Sequence, residues 1–175
     1  MSIDYSEDRL IQKSAAELME TELGWASVYA YDKEVLGENG TLGRNSFHEV
    51  LLIQQFRLAL KKLNPWINDK QIAEAIERMT ERMSSQTLMQ INEQKYQFIR
   101  DGIPVTRIKP DGTSEEIKAV VIDFENVDNN NFLCVRELWV YGALYRRRAD
   151  IVGFVNGIPL LFVELKNHNI EVENA

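Results

Sequence analysis

The stretch ADIVGFVNGIPLLFVELKN, residues 149–167, constrains the fold more than any other part of the chain. It holds two apolar runs, ADIVGFV and IPLLFVEL, joined by Asn156-Gly157. An Asn-Gly pair between apolar runs is the strongest short-range signal for a β-hairpin. Both runs are apolar at consecutive positions, which predicts strands covered on both faces and so a sheet with further layers. Asp150, Glu164 and Lys166 interrupt the runs at the open end of the hairpin. Desolvating an unpartnered charge costs several kcal/mol, so these groups need each other, a metal ion or water.

Glu164 and Lys166 are two apart on one strand and share a face. Asp150 joins them only if it lies opposite Glu164, because directly paired residues of an antiparallel ladder point the same way. That register centres the hairpin on Gly157 and predicts a three-residue loop, Asn156-Gly157-Ile158. A two-residue Asn-Gly turn would pair Asp150 with Val163 and turn Glu164 to the other face. Pro159, without an N–H, also disfavours a tight regular ladder beside the turn. If the three groups converge, two carboxylates and a carbonyl suit a hard cation such as Mg²⁺, which keeps several waters. Such a cation lowers the pKa of a bound water and shields a phosphate oxygen. A lysine beside it can orient or deprotonate that water and stabilise charge on the phosphorane. This is a layout for phosphodiester hydrolysis; the plain alternative is a salt-bridged cluster where strands reach solvent.

The hydrophobic period changes near residue 101. Before it, apolar positions recur at helical spacing. Residues 6–23 predict a helix with Ser6 as N-cap and Gly24 as its stop. Residues 25–45 read as a short extended piece and a glycine-rich loop. A capping box at Ser46-Phe47-His48-Glu49 predicts a second helix running from Ser46 to Asn64-Pro65. Two more helices are predicted over about 68–83 and 86–100. After residue 101 come strand patterns at 103–109, 117–124 and 132–141, with a turn at Pro110-Asp111-Gly112-Thr113 and a short Asn-rich turn at 126–131. Helices followed by strands predict an α+β fold, mainly helical over 1–101 and sheet-forming over 102–175, in a single domain of 175 residues.

Composition excludes several classes. No apolar run approaches the roughly 20 residues that span a bilayer, and the acidic, polar start MSIDYSEDRL is no secretory signal. One cysteine, Cys134, cannot form an internal disulfide and reads as a buried thiol. These features predict a cytoplasmic protein without a membrane partner. A net charge of −7 argues against coating DNA by bulk electrostatics but leaves room for a local basic patch. No GxxxxGK[ST] occurs, so this chain holds no phosphate-cradling nucleotide loop.

The spacing Asp150-x₁₃-Glu164-x-Lys166 resembles the PD-(D/E)xK nuclease superfamily. The wider stretch LYRRRADIVGFVNGIPLLFVELKN resembles the N-terminal nuclease domain of the restriction (R) subunit of type I restriction-modification enzymes. LGRNSFHEVLL, ALKKLNPWI, NEQKYQFIRDGIPV and DNNNFLCVRELWVYG resemble that family too, in order, so the likeness covers essentially the whole chain. The resemblance implies a restriction endonuclease-like fold, a mixed central sheet flanked by helices. It implies that Asp150 and Glu164 bind Mg²⁺ (or Mn²⁺), with the Leu165 carbonyl as a further ligand and Lys166 as the catalytic lysine. The implied activity is that of a type I site-specific deoxyribonuclease, cutting unmodified double-stranded DNA after ATP-driven translocation. ATP would serve only a translocase beyond Ala175, so the chain reads as a fragment of a longer subunit. The implied partners are double-stranded DNA and the modification and specificity subunits, the latter reading the target.

The chain also departs from the family pattern. Ala149 stands where a proline is usual before the aspartate, which removes no functional group. Gln12 stands where many superfamily members carry a helix-borne acid, leaving Glu7, Glu17 or Glu49 as substitutes. Arg146, Arg147 and Arg148 are candidates for contacts to a DNA backbone; their alternative is a solvated turn with one arginine paired to Glu137. His48 and His168 read as surface or capping residues, and Trp25, Trp66 and Trp139 as packing residues. A second function remains open beside the nuclease: a non-catalytic, nuclease-like docking module of the same subunit.

Overall fold

A computed structural model of the chain describes residues 7–81 and 86–165, with side chains from Ile11 onward. Ser6, Lys166 and His168 therefore lie outside the described residues. Helices are α1 (Glu7–Leu23), α2 (Ile53–Leu63), α3 (Asp69–Thr80) and α4 (Leu88–Asp101). Strands are β1 (Ala26–Tyr29), β2 (Ile103–Ile108), β3 (Ser114–Ala119), β4 (Phe132–Tyr141), β5 (Arg146–Val155) and β6 (Ile158–Val163). The arrangement is α+β, consistent with the restriction endonuclease-like type. No helix among the described residues is long and apolar enough to cross a membrane.

The residues fall into two compact units: those up to Leu52 together with those from Phe132, and Ile53–Asn131 between them. The first unit holds a four-stranded sheet in the order β1-β4-β5-β6. β1 runs parallel to β4, and the other two pairings are antiparallel, so the sheet is mixed. Parallel neighbours need a long crossover, and here the whole second unit is inserted between them in chain order. One core of this unit gathers Ala30, Leu42, Leu52, Leu133, Val135, Leu138, Ala149, Val152 and Phe154. The other joins Ala16 and Met19 of α1 to Cys134 and Ile151, with Trp25, Val163 and Leu165 at its margin. Burial also pushes the Cys134 thiol above its usual pKa.

The second unit packs α2 and α3 together and sets α3 and α4 beside a two-stranded ribbon, β2–β3. Asn68 and Thr87 cap α3 and α4 with complete capping boxes, and Gly102, at φ 91°, ends α4. Asn64 closes α2: its amide donates to Leu60 O and Val120 O and accepts from Val120 N. The Asn-rich segment holds a short 3₁₀ turn, Val127–Asn129. The Asp123 carboxylate there accepts from the Glu125 and Asn126 N–H groups and from Asn129 Nδ2.

Three expectations need correction. The strand expected over 117–124 forms as Ser114–Ala119, in register with β2, and ends there. The helix expected from Ser46 begins at Ile53. Ser46–Glu49 closes only a turn, because neighbouring backbone groups are engaged elsewhere: Phe47 O accepts from Tyr141 N, Glu49 O from Arg44, and Leu52 N donates to Gly157 O. The second strand of the hairpin is not covered on both faces. β6 is the sheet edge, and Leu160, Leu161 and Phe162 are exposed. A run of consecutive apolar residues cannot distinguish a covered strand from an edge that leaves apolar surface open.

Candidate active site

The hairpin turn is the two-residue Asn156-Gly157 type rather than the expected three-residue loop. Val155 pairs with Ile158, and φ is 53° at Asn156 and 81° at Gly157. Two successive positive φ values match the twist of the flanking strands, and Asn followed by Gly tolerates them best. This turn alone would have sent Asp150 and Glu164 to opposite faces. A bulge changes the count. Phe154 pairs with Pro159 but Gly153 with Leu161, so Leu160 is an extra residue in β6. Beyond it the pairs run Val152 with Phe162 and Ile151 with Val163. Continued one step past its last pair, this register would bring Asp150 opposite Glu164, but the ladder ends at Ile151 and Val163.

A second irregularity lies at Asp150 itself. In β4, Leu133 and Val135 face the same core as Leu138, and in β5, Phe154 and Val152 face it together with Ala149. Strict alternation forbids that, so both strands shift phase by one residue between these positions. The ladder skips there, from Arg136 paired with Ile151 to Leu138 paired with Ala149. The skipped residues are Glu137 and Asp150. Glu137 has φ 58°, a conformation rare outside glycine, asparagine and aspartate.

Asp150 is thereby released from either face, and its carboxylate is held from two sides. Oδ2 accepts the Leu165 N–H over 2.7 Å, and Oδ1 accepts from Nε2 of Gln12 on α1 over 3.2 Å. Gln12 is only 4% exposed. Of the acids considered as substitutes on the helical side, Glu17 pairs with Lys13 at the surface and Glu49 accepts from the Asn45 N–H. The Glu7 side chain is outside the description. The contact of Gln12 with Asp150 is not legible in the sequence, because nothing local fixes how α1 crosses β5.

Glu164 is exposed and lines an apolar groove of about 1070 Å³ with Leu138, Val140, Leu144, Tyr145 and Phe162. The two carboxylates thus each lie one residue beyond the last pair of the β5–β6 ladder, Ile151 with Val163, and meet different neighbours. Lys166 lies outside the described residues. Among those residues no cluster of three or more His, Cys, Asp or Glu side chains forms. A cation at this strand end would therefore rest on two carboxylates, carbonyl oxygen and water, a donor set that fits a hard ion such as Mg²⁺.

The three arginines do not act as one patch. Arg148 pairs directly with Trp139 and Arg146 with Tyr141, so these four share one face, while Arg147 pairs with Val140; Arg147 and Arg148 both line the groove. Arg148 lies 2.6 Å from the buried Glu137 carboxylate, the ion pair foreseen as its alternative role. His48 sets its ring edge-on to Tyr141. Trp25 packs at the core margin, and Trp66 is 43% exposed.

Residues 4–175 match the family model described as type I restriction enzyme R protein N terminus. The type I restriction enzyme HindI endonuclease subunit of Haemophilus influenzae is 32% identical over 83% of this chain. The putative type I restriction enzyme MjaIXP endonuclease subunit of Methanocaldococcus jannaschii is 26% identical over 93% of it. These matches cover 14% and 15% of the two relatives' lengths, so the chain spans about one seventh of each.

Proposed function

Because this chain belongs to the family of type I restriction enzyme R protein N termini, we propose that it is the metal-dependent endonuclease domain of such a subunit. Its substrate is unmodified double-stranded DNA, cut after ATP-driven translocation by the rest of the polypeptide. The observation that carries this reading is the treatment of Asp150. A carboxylate with an N–H donor on each oxygen is held in one orientation, at the point where β6 ends. An ordinary surface acid has no need of a buried amide to aim it.

In this reading Asp150, Glu164 and the Leu165 carbonyl hold Mg²⁺ or Mn²⁺. The ion supplies a water of lowered pKa and charge for the phosphate oxygens. Gln12 and the Leu165 N–H fix Asp150 for that task, and the Lys166 ammonium stabilises charge developing at the scissile phosphate. Modification and specificity subunits would bring the target sequence, with ATP used only by the translocase. The exposed apolar groove beside Glu164 favours the second reading, a docking module without turnover.

Metal binding separates the two. Mn²⁺ or Mg²⁺ at about 100 times its Kd should stabilise the protein by about 2.7 kcal/mol. Asp150→Ala should remove the shift. A melting temperature indifferent to either ion in the unaltered protein would leave the docking reading standing.

A further inference from the structure

The end of β4 and β5 beyond Asp150 carries an arginine and aromatic face that metal chemistry does not use. Arg148 lies over Tyr31 at 4.9 Å and over Trp139 at 5.8 Å from the ring centroids, and Arg146 lies over Trp139 at 5.6 Å. Nearby, Arg136 and Lys33 face the Tyr29 ring at 5.2 and 5.7 Å. A chain of net charge −7 thus gathers four cations around three rings on one sheet face.

We propose that Arg146 and Arg148, held by Tyr31 and Trp139, bind successive phosphates of one DNA strand and lead it to Asp150. The identification of the ligand as DNA rests on the nuclease reading above; the surface itself is independent of the metal. Stacking uses the flat face of a guanidinium, whereas its N–H donors lie in the plane, so a stacked arginine can still fork onto a phosphate. Being already ordered on a ring, it also loses less freedom on binding. Arg146 and Arg148 are two residues apart on an extended strand, roughly 7 Å, comparable to the step between neighbouring phosphates. Asp150 follows two residues beyond Arg148, at the phase change of β5. Arg146 is exposed and forms no ion pair among the described residues, whereas Arg148 is steadied by Glu137.

The test is binding of the full chain to a short fluorescein-labelled DNA duplex in EDTA, followed over a range of NaCl concentrations. Arg146→Ala should weaken binding several-fold and reduce the slope of log K against log salt by about 1. Arg148→Gln should do the same, but it also strips a buried glutamate of its partner. Arg146→Ala therefore decides the matter, with circular dichroism to verify folding. Lys70→Ala, an exposed lysine of α3 in the other unit, should alter neither quantity. An unchanged affinity and slope in Arg146→Ala would overturn the proposal, as would absence of binding by the unaltered chain. Without metal no cleavage is read. Asp150→Asn, which should be inactive but still bind, therefore separates failure of this surface from failure of the nuclease reading.

Discussion

Leu165 donates its backbone N–H to the Asp150 carboxylate over 2.7 Å, across 15 positions of sequence. The bond joins β5 to Leu165, two residues past the end of β6, where no ladder partner is available, and a side chain does what a strand carbonyl would otherwise do. Aspartate is short enough to lie between the strands, so its position at the phase change is as informative as its charge. Asp150→Ala should therefore cost stability as well as metal binding, by about 1–3 kcal/mol for the orphaned N–H. Asp150→Asn, whose side-chain oxygen still accepts, should retain most of that stability while losing metal binding. Urea unfolding of the two variants without metal would separate the roles.

Gln12 should act as a positioning residue. Gln12→Ala removes the donor from Asp150 Oδ1 and should lower metal affinity or cleavage by about 10–100-fold, the usual effect of losing an outer partner of a ligand. Gln12→Asn keeps an amide but is one methylene too short to reach Asp150, so it should lose metal affinity like Gln12→Ala while keeping most of the stability. A purely structural Gln12 would show lower stability with an unchanged metal affinity.

Much of this was legible in the sequence, and the limits have physical reasons. The Phe132–Tyr141 strand and the stops at Gly24 and Gly102 depend on local chemistry, and all appear where expected. Leu160 as a bulge and the phase change at Glu137 and Asp150 depend on partners in other strands, which no local pattern encodes. The spacing predicts a three-residue loop, whereas the hairpin has a two-residue turn followed by a bulge at Leu160. Ser46 has a capping-box sequence, yet tertiary hydrogen bonds claim the backbone that a helix would need.

Gly153 tests the hairpin packing. A β-carbon there would lie 2.8 Å from Trp25 Cζ3 and 2.9 Å from Leu161 Cβ. Neither neighbour is the far end of a flexible chain, so the strands must part or Trp25 must shift. Gly153→Ala should cost about 1–3 kcal/mol. An unchanged urea midpoint would mean that Trp25 has room to retreat.

Arg44 and Glu34 form a fully buried ion pair, each side chain 1% exposed, with Nε to Oε1 at 2.5 Å and Nη2 to Oε2 at 2.6 Å. Arg44 also donates to Glu49 O and Trp139 O, tying the glycine-rich loop to β4. Arg44→Met leaves a buried carboxylate alone and should cost about 3–5 kcal/mol. The double variant Glu34→Leu/Arg44→Met should recover part of that loss, which a double-mutant cycle on thermal unfolding would measure.

The last prediction concerns Lys166 and separates nuclease from docking module. On the nuclease reading, Lys166→Ala in an intact R subunit should abolish DNA cleavage while ATP hydrolysis and translocation stay near normal. An ammonium aimed at a scissile phosphate acts mainly on charge that exists only in the transition state. Its loss should therefore lower the rate by a factor on the order of 10²–10³ and leave DNA affinity little changed. Glu164→Ala should give the same loss of cleavage and weaker metal binding in addition. Arg146→Ala should show the opposite split, with weaker DNA binding and a rate that recovers at saturating DNA. A Lys166→Ala subunit that cuts at the normal rate would assign catalysis to another part of the polypeptide, leaving this sheet as the surface on which the complex is assembled.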